Sequence, residues 1–359
     1  MAAYLPDGRP GPGRPVEVEL EATVTGSAEL VLAELTVRDE RGGELLTGPD
    51  LVFEPSAGGG PLAADVADRQ ARGFGITNTA YHAQRAMRYA ARLLGSPLPY
   101  LTIRIGAHAD AARWGWGGGH YRLPSTSQDE PYTVDPAGEV HLGSGRAFLG
   151  GPREPYFHAP AHNAAIIYHE VGHHVCRHTA DFRVNRQRPM HEQHNGKNAL
   201  DEGTADFLAA VLLDSPDIYG WHRGHIPEWD PRRRRLDTRF TMAYLRPGSG
   251  GQAHANGCIW ASALWSARDR VRADGCDGDQ FTAVVLRALA RLGRGDWPVP
   301  EEQQRRNQFS VLLRELLAAA PRLAPAVEAA MAGHGIHPQG TNPQLRERAR
   351  GEATTRATG

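Results

Sequence analysis

Five residues in the middle of the chain, His169-Glu170-Val171-Gly172-His173, constrain its fold more than any other stretch. They follow a run of alanine and isoleucine, which favours a helix. On a helix, residues four apart stand on one face, so both imidazoles can reach a single metal ion. The glutamate between them then lies beside a water molecule on that metal. This stretch therefore predicts a helix that carries two zinc ligands and a general base.

A third zinc ligand must come from elsewhere, because catalytic zinc sites commonly have three protein ligands. The segment 198–207 contains Glu202 and, four residues later, Asp206, which share one face of a second predicted helix. Glu202 can complete the metal site, while Asp206 can accept the N–H of a ligand imidazole and fix its orientation. We therefore expect one catalytic Zn2+ bound by His169, His173 and Glu202, with Asp206 behind a ligand imidazole.

The order of these motifs resembles that of the gluzincin zinc metallopeptidases, in particular the thermolysin-like and fungalysin-like families. A further match opens a helix downstream, where Ala253-His254-Ala255-Asn256-Gly257-Cys258-Ile259 is similar to the Val-His-x-Asn-Ser-Gly-Ile segment of thermolysin-like enzymes. The resemblance runs in order over roughly residues 73 to 336, with three short specific blocks. It implies a zincin-like fold.

The resemblance also implies a role for each matched residue. His169, His173 and Glu202 correspond to the zinc ligands of the family, and Glu170 corresponds to its general base. His254 corresponds to the histidine that donates a hydrogen bond to the tetrahedral intermediate.

Three positions depart from the family pattern. Gly172 stands where threonine is common. The family's tyrosine donor, eleven residues after the second ligand histidine, is replaced by Val184, and the position of the aspartate that orients the downstream histidine holds Ser249. Donors to the oxyanion are therefore missing or supplied from elsewhere, which concerns the rate more than metal binding.

The predicted function is a zinc-dependent metallopeptidase that cleaves peptide or protein substrates with a water activated by Glu170. One alternative is a zinc hydrolase that acts on a non-peptide amide or ester, which a small closed pocket would favour. The other is a catalytically degenerate homologue that binds zinc or peptide. The absent tyrosine favours that alternative, and the intact Glu170 opposes it. We expect His120–Leu123 to be a strand edge that holds extended peptide, with a structural hairpin as the alternative.

The whole chain limits the partners to expect. A formal charge of −1 over 359 residues gives no basic surplus for nucleic acid. No apolar run is long enough to predict a membrane span. The three cysteines have unrelated spacings, and we expect Cys176 and Cys258 to be buried small residues. Met1–Pro15 lacks the apolar segment of a secretion signal, so a cytoplasmic location is the default and secretion the alternative if a leader is missing. The oligomeric state is not predicted.

The predicted fold class is α+β, with an N-terminal antiparallel-sheet lobe that includes the active-site helix and a mainly helical C-terminal lobe. The predicted divisions are a flexible N-terminus at 1–15, a mixed lobe at 16–180, a helical lobe at 181–337 and a flexible tail at 338–359. The runs 16–20 and 30–37 predict two or three antiparallel strands, and further strands are expected at 100–105, 120–123 and 139–142. Helices are expected at 77–94, 163–179, 199–213, 254–273, 278–292, 301–319 and 324–333.

The remaining polar clusters have plainer interpretations. His174 and His178 are expected to pack or to lie at the surface, since neither falls at a ligand spacing. His191–His194 could hold a second metal but is expected to be solvated. The basic run Arg232–Arg235 predicts a solvated loop, with contact to an acidic partner as the second interpretation.

Overall fold

The computed structural model describes residues 1–5, 14–46, 69–107, 117–124, 133–145, 159–193, 196–220, 234–246, 252–295 and 308–341. The predictions for His194, Arg232, Arg233, Ser249, the helix start at 301–307 and the tail after Thr341 lie outside these residues.

The described residues form seven α-helices and ten strands, of which the last two strands have only two residues each. The strands are β1 (Ala2–Leu5), β2 (Arg14–Glu17), β3 (Ala22–Gly26), β4 (Glu29–Leu32), β5 (Leu35–Asp39), β6 (Leu101–Ile105), β7 (Gly119–Arg122), β8 (Glu139–Leu142), β9 (Ile336–His337) and β10 (Gly340–Thr341). The helices are α1 (Arg69–Leu94), α2 (Ala164–His178), α3 (Ala199–Leu213), α4 (Ala253–Ala273), α5 (Gly278–Arg294), α6 (Phe309–Ala319) and α7 (Ala324–Gly333).

The predicted fold class, α+β with a helical C-terminal part, is confirmed. The main sheet has six strands in the order β3-β4-β5-β6-β8-β7. It is mixed rather than antiparallel throughout, because β6 pairs in parallel with both β5 and β8. A parallel pair needs a crossover connection, and α1 lies between β5 and β6 in the chain and packs on β5. Strand β7 pairs antiparallel with β8 and forms one edge of the sheet.

The run predicted to be extended at 30–37 forms two strands, β4 and β5, which pair antiparallel. Leu30 and Leu32 are buried, and so are Leu35 and Val37. Because side chains alternate along a strand, one continuous strand cannot keep both pairs on the same face. A turn between Leu32 and Leu35 restores the common face.

The two predicted flexible ends are partly structured. Within 1–15, β1 pairs antiparallel with β2, which begins at Arg14. Within 338–359, β10 pairs with β9 through Gly340 and Thr341. The hydrophobic core is one cluster with members from both predicted lobes, so the division at 180/181 stays a prediction. No helix among the described residues is long and apolar enough to cross a membrane.

Helix α3 contacts both α2 and α4 at glycines. A Cβ atom added to Gly172 of α2 would lie 2.8 Å from Ala205 Cα, and one added to Gly203 would lie 2.4 Å from the Gly257 oxygen of α4. These helix backbones therefore touch, and side chains from all three helices can meet at one point.

We expect Gly203→Ala to lower the free energy of unfolding by about 1–3 kcal/mol, because the new methyl group overpacks the α3–α4 contact. Urea denaturation followed by circular dichroism measures this loss. Gly26→Ala is the matched control, since a Cβ there meets nothing within 4 Å. Equal stability of the two variants would contradict the close helix contact.

Candidate metal centre

Helix α2 begins where its sequence supplies a cap and where α1 holds the preceding turn. Asn163 Oδ1 accepts hydrogen bonds from Ala165 N at 2.9 Å and from Ile166 N at 3.4 Å. Asn78 of α1 donates to the Ala161 oxygen at 2.8 Å. The cap satisfies backbone N–H groups that have no partner inside the helix. The motif 169–173 therefore lies in the middle of a well-anchored helix.

Helix α3 begins in the same way. Asn198 Oδ1 accepts from Leu200 N at 2.9 Å, and Asp201 and Glu202 occupy the first turn. Carboxylates are favourable there because the N-terminal end of a helix carries partial positive charge. The sequence of α3 therefore stabilises two acids where α3 meets α2.

The structure brings the three predicted zinc ligands together. His169 Nε2 lies 3.1 Å from His173 Nε2, and Glu202 Oε2 lies 3.3 Å from the first nitrogen and 3.5 Å from the second. Ligand atoms bound at about 2.0–2.1 Å in a tetrahedral zinc site are roughly 3.3 Å apart. The two nitrogens and the oxygen thus have the spacing of three corners of such a site.

The donor set also fits a cation by its hydrogen bonding. Glu202 Oε2 is buried and makes no hydrogen bond with the described residues, although buried polar atoms are nearly always satisfied. Burial opposes ionisation of Glu202, but the charge of His173 and the neighbouring imidazoles outweighs it and holds the pKa well below its ordinary value. An ionised carboxylate between two imidazoles is a donor set that suits zinc.

Each imidazole of the predicted ligand set contacts a carboxylate of α3 through its Nδ1 atom. His169 Nδ1 lies 2.8 Å from Asp206 Oδ1, and His173 Nδ1 lies 2.8 Å from Asp201 Oδ1. Such contacts fix the ring orientation and leave Nε2 directed toward the metal. The sequence predicts Asp206 in this position but not Asp201, which precedes Glu202 and therefore shares no helix face with it. Its place in the first turn of α3 is the one signal that could have identified it.

The prediction that the run Arg232–Arg235 is solvated is wrong for Arg234. Its Nε donates to Asp206 Oδ2 at 2.9 Å, its Nη2 also contacts Asp206, and its Nη1 donates to the Tyr219 hydroxyl at 2.7 Å. A buried carboxylate needs a compensating charge, and this guanidinium supplies it. Burial raises the pKa of Asp206, but the charge of Arg234 outweighs that and lowers it to about 2.

Arg235, the other described member of the run, and a second arginine, Arg183, complete the charge pattern. Arg235 fits the prediction, since it is exposed and pairs with Asp237 at 2.8 Å. Arg183, which the sequence does not single out, donates to Asp201 Oδ2 at 2.8 Å. Both carboxylates behind the imidazoles therefore have a guanidinium partner.

Glu170 faces a cavity of about 150 Å3. Its Oε2 is buried without a hydrogen-bond partner among the described residues, and burial raises its pKa. A Cβ atom on Gly119 would lie 2.8 Å from Glu170 Cγ, so only glycine lets strand β7 approach so closely. The described lining consists of β7 residues 119–122, the three motif residues His169, Glu170 and His173, the side chains of Glu202 and His254, and two cations, Arg183 and Lys197.

His254 lies in the first turn of α4 at the border of this cavity. Its Nε2 is 3.1 Å from Glu202 Oε2, and its ring stacks on His169 with centroids 6.3 Å apart. His169, Glu202 and His254 also form a group whose ligand atoms lie within 4.8 Å of one another. The ligand atoms of His169, His173 and Glu202 lie closer together, within 3.5 Å, so His254 is not needed to complete the predicted ligand set. Burial lowers the pKa of His254 to about 3, which keeps the imidazole neutral.

Val184 supplies no donor to the cavity. Its side chain is buried, its φ angle is 54°, and it does not belong to the cavity lining. His174 packs as predicted, between the Tyr121 hydroxyl at 3.0 Å and the Pro99 oxygen at 2.9 Å. His178 contacts the Ala137 oxygen at 2.9 Å. The burial predicted for Cys176 and Cys258 is confirmed.

No protein-family model matches the sequence, and no curated protein does. Among solved structures, the fold is similar to that of the precursor of protealysin, a metalloproteinase from Serratia proteamaculans. The TM-score is 0.43 with 12% sequence identity, and the match covers 89% of this chain and 90% of that chain. A likeness at this level assigns no activity and no residue role to this chain.

We expect Arg234→Met to lower the free energy of unfolding by about 3–5 kcal/mol, because it leaves the buried Asp206 carboxylate without its compensating charge. Arg235→Met is the matched control, since the Arg235 side chain is 43% exposed, and we expect it to cost at most about 1 kcal/mol. Urea denaturation of both variants measures the difference. Equal losses would show that Arg234 is not part of the buried network.

Proposed function

We propose that this protein is a zinc-dependent metallopeptidase that binds one Zn2+ through His169, His173 and Glu202. The observation that carries the proposal is the convergence of two imidazole nitrogens and Glu202 Oε2, which lie within 3.1–3.5 Å of one another. The carboxylates behind both imidazoles support it, because a structural histidine pair has no need of two such partners.

Glu170 is the proposed general base. When bound, zinc supplies a Lewis acid that lowers the pKa of a water molecule to about 7 and polarises the substrate carbonyl. Glu170 Oε2 has no competing hydrogen bond among the described residues and can accept a proton from water. The water oxygen then bonds to the carbonyl carbon, and the carbonyl π electrons move onto its oxygen. When that oxygen re-forms the double bond, the C–N bond breaks and Glu170 returns the proton to the leaving nitrogen.

His254 is the proposed donor to the negatively charged oxygen of this intermediate. A neutral imidazole carries one N–H, and the lowered pKa of His254 favours the neutral form. Its Nε2 points toward Glu202 and so toward the same end of the cavity. A hydrogen bond aimed at developing charge in a site shielded from water contributes about 3–4 kcal/mol to lowering the barrier.

A peptide or protein is the proposed substrate because an edge strand borders the cavity. Among the described residues, strand β7 pairs only with β8, and its residues 119–122 line the cavity beside Glu170. An extended peptide can add to such an edge through main-chain hydrogen bonds.

The size of the cavity favours a second candidate function. Its volume of about 150 Å3 is below the roughly 300–1,000 Å3 common for ligand pockets. A zinc hydrolase of a small non-peptide amide or ester fits that volume, and the activity assay below includes such substrates.

We expect Glu202→Gln to abolish stoichiometric zinc binding, while Glu170→Gln keeps it, because only the first carboxylate belongs to the proposed ligand set. The loss exceeds the roughly 10- to 100-fold weakening typical of a residue that merely orients a ligand. Competition with a chromogenic chelator measures the affinities. Glu192→Gln, which alters an exposed acid, is the control. Wild-type affinity in Glu202→Gln would remove Glu202 from the ligand set.

We expect Glu170→Gln to lower kcat for peptide hydrolysis by about 10²- to 10⁴-fold, because the amide cannot accept the proton of water. Casein, a peptide library and a set of small amides and esters are incubated with the zinc-loaded wild type and variant. Cleavage of the small substrates alone would favour the second candidate. Zinc binding by both proteins with no cleavage of any substrate would refute both enzymatic proposals.

A further inference from the structure

Lys197 is the only lysine in a chain with 40 lysine and arginine residues. It precedes Asn198, the cap of α3, and its side chain borders the cavity that contains Glu170. The described lining of this cavity has 11 residues, and the single lysine of the chain is one of them. Lysine and arginine are not equivalent, since an ammonium group is a compact point charge on a flexible stem.

Lys197 lines the same cavity as the two residues that flank the proposed reacting centre, Glu170 and His254. The lysine is exposed, and the structure shows no ion pair between it and another described residue. The side chain that borders this cavity is therefore not tied to a carboxylate of the described residues.

The two arginines that line the cavity are less exposed than Lys197. Arg183 is buried and donates to Asp201 Oδ2 at 2.8 Å, so its position is tied to that carboxylate. Arg122 is on the edge strand and is half-buried. Lys197 differs from Arg183 and Arg122 because it combines an exposed charge with a flexible side chain at the border of the cavity.

We propose that Lys197 is a catalytic residue whose ammonium group donates a hydrogen bond to the oxygen that becomes negatively charged when water adds to the peptide carbonyl. The inference rests on the proposed function. Lys197 supplies a second hydrogen-bond donor beside His254, and Val184 cannot provide one. No proton or electron pair passes to Lys197. It holds the charged oxygen until the C–N bond breaks and the double bond re-forms.

The first test separates kcat from KM in the zinc-loaded full chain. We expect Lys197→Met to lower kcat by about 10²- to 10³-fold, as removal of an oxyanion donor does, and to change KM less than about threefold. Lys197→Arg keeps the charge and should recover part of the loss. A rise in KM with kcat unchanged would overturn the proposal, because Lys197 would then hold substrate rather than the charged oxygen.

Because Lys197 is the only lysine, amine reagents provide a second and independent form of the same test. Acetylation removes the charge and reductive methylation retains it. We expect acetylation to lower kcat of the wild type about as much as Lys197→Met does, and methylation to have little effect. The N-terminal amine also reacts, so Lys197→Arg protein treated in the same way is the matched control. Equal loss in that control would overturn the proposal.

A binding measurement distinguishes failure of this inference from failure of the proposed function. A phosphonopeptide mimics the tetrahedral anion, and we expect Lys197→Met to weaken its binding to the zinc-loaded protein about 10²-fold. The parent peptide should bind Glu170→Gln equally well with and without Lys197→Met. If the wild type cleaves peptides and Lys197→Met cleaves them equally well, this inference alone fails. If the wild type cleaves nothing while the phosphonopeptide still needs Lys197, the proposed peptidase function fails and the anion contact stands.

Discussion

The close approach of three helix backbones makes the rest of the site possible. Gly172 of α2 touches α3 at Ala205, and Gly203 of α3 touches α4 at Gly257. A carboxylate side chain is short, so Glu202 meets imidazoles from both neighbouring helices only when no side chain separates the backbones. Interiors pack without gaps, and one methyl group at either contact would move α3 as a unit. The position of the predicted ligand thus depends on residues with no chemistry of their own.

Helix α3 buries three carboxylates at one place, which is costly unless each is compensated. Asp206 has the guanidinium of Arg234 and Asp201 has that of Arg183, in addition to an imidazole each. Among the described residues, Glu202 is the one of the three that pairs with no guanidinium, and its Oε2 faces imidazole nitrogens instead. The two arginines therefore neutralise the outer acids and leave the middle one to the imidazoles that converge on it.

Local signals predict where most of the described helices lie, although α1 begins at Arg69 rather than at residue 77. Contacts between residues far apart in the sequence are not predicted by such signals. The bounds of α3 are predicted correctly because an asparagine cap and an apolar run are both local. The role of Arg234 is not predicted, because its run looks solvated and Asp206 is 28 positions away. The parallel pairing of β5 with β6 also depends on a crossover through α1. The convergence of His169, His173 and Glu202 could be predicted because the two histidines have helical spacing and the glutamate opens the next predicted helix.

The position of the proposed base depends on the sheet as well as on α2. Gly119 of β7 lies against Glu170, and the Tyr121 hydroxyl lies 3.0 Å from His174 Nδ1. From Glu170 to His174, helix α2 rises about 6 Å, and from Gly119 to Tyr121, strand β7 rises nearly 7 Å. Because these two distances are similar, both contacts can form at once when β7 runs along α2. His174, which has no ligand spacing in the sequence, therefore fixes the strand edge beside the base, and its loss would displace that edge without touching a ligand.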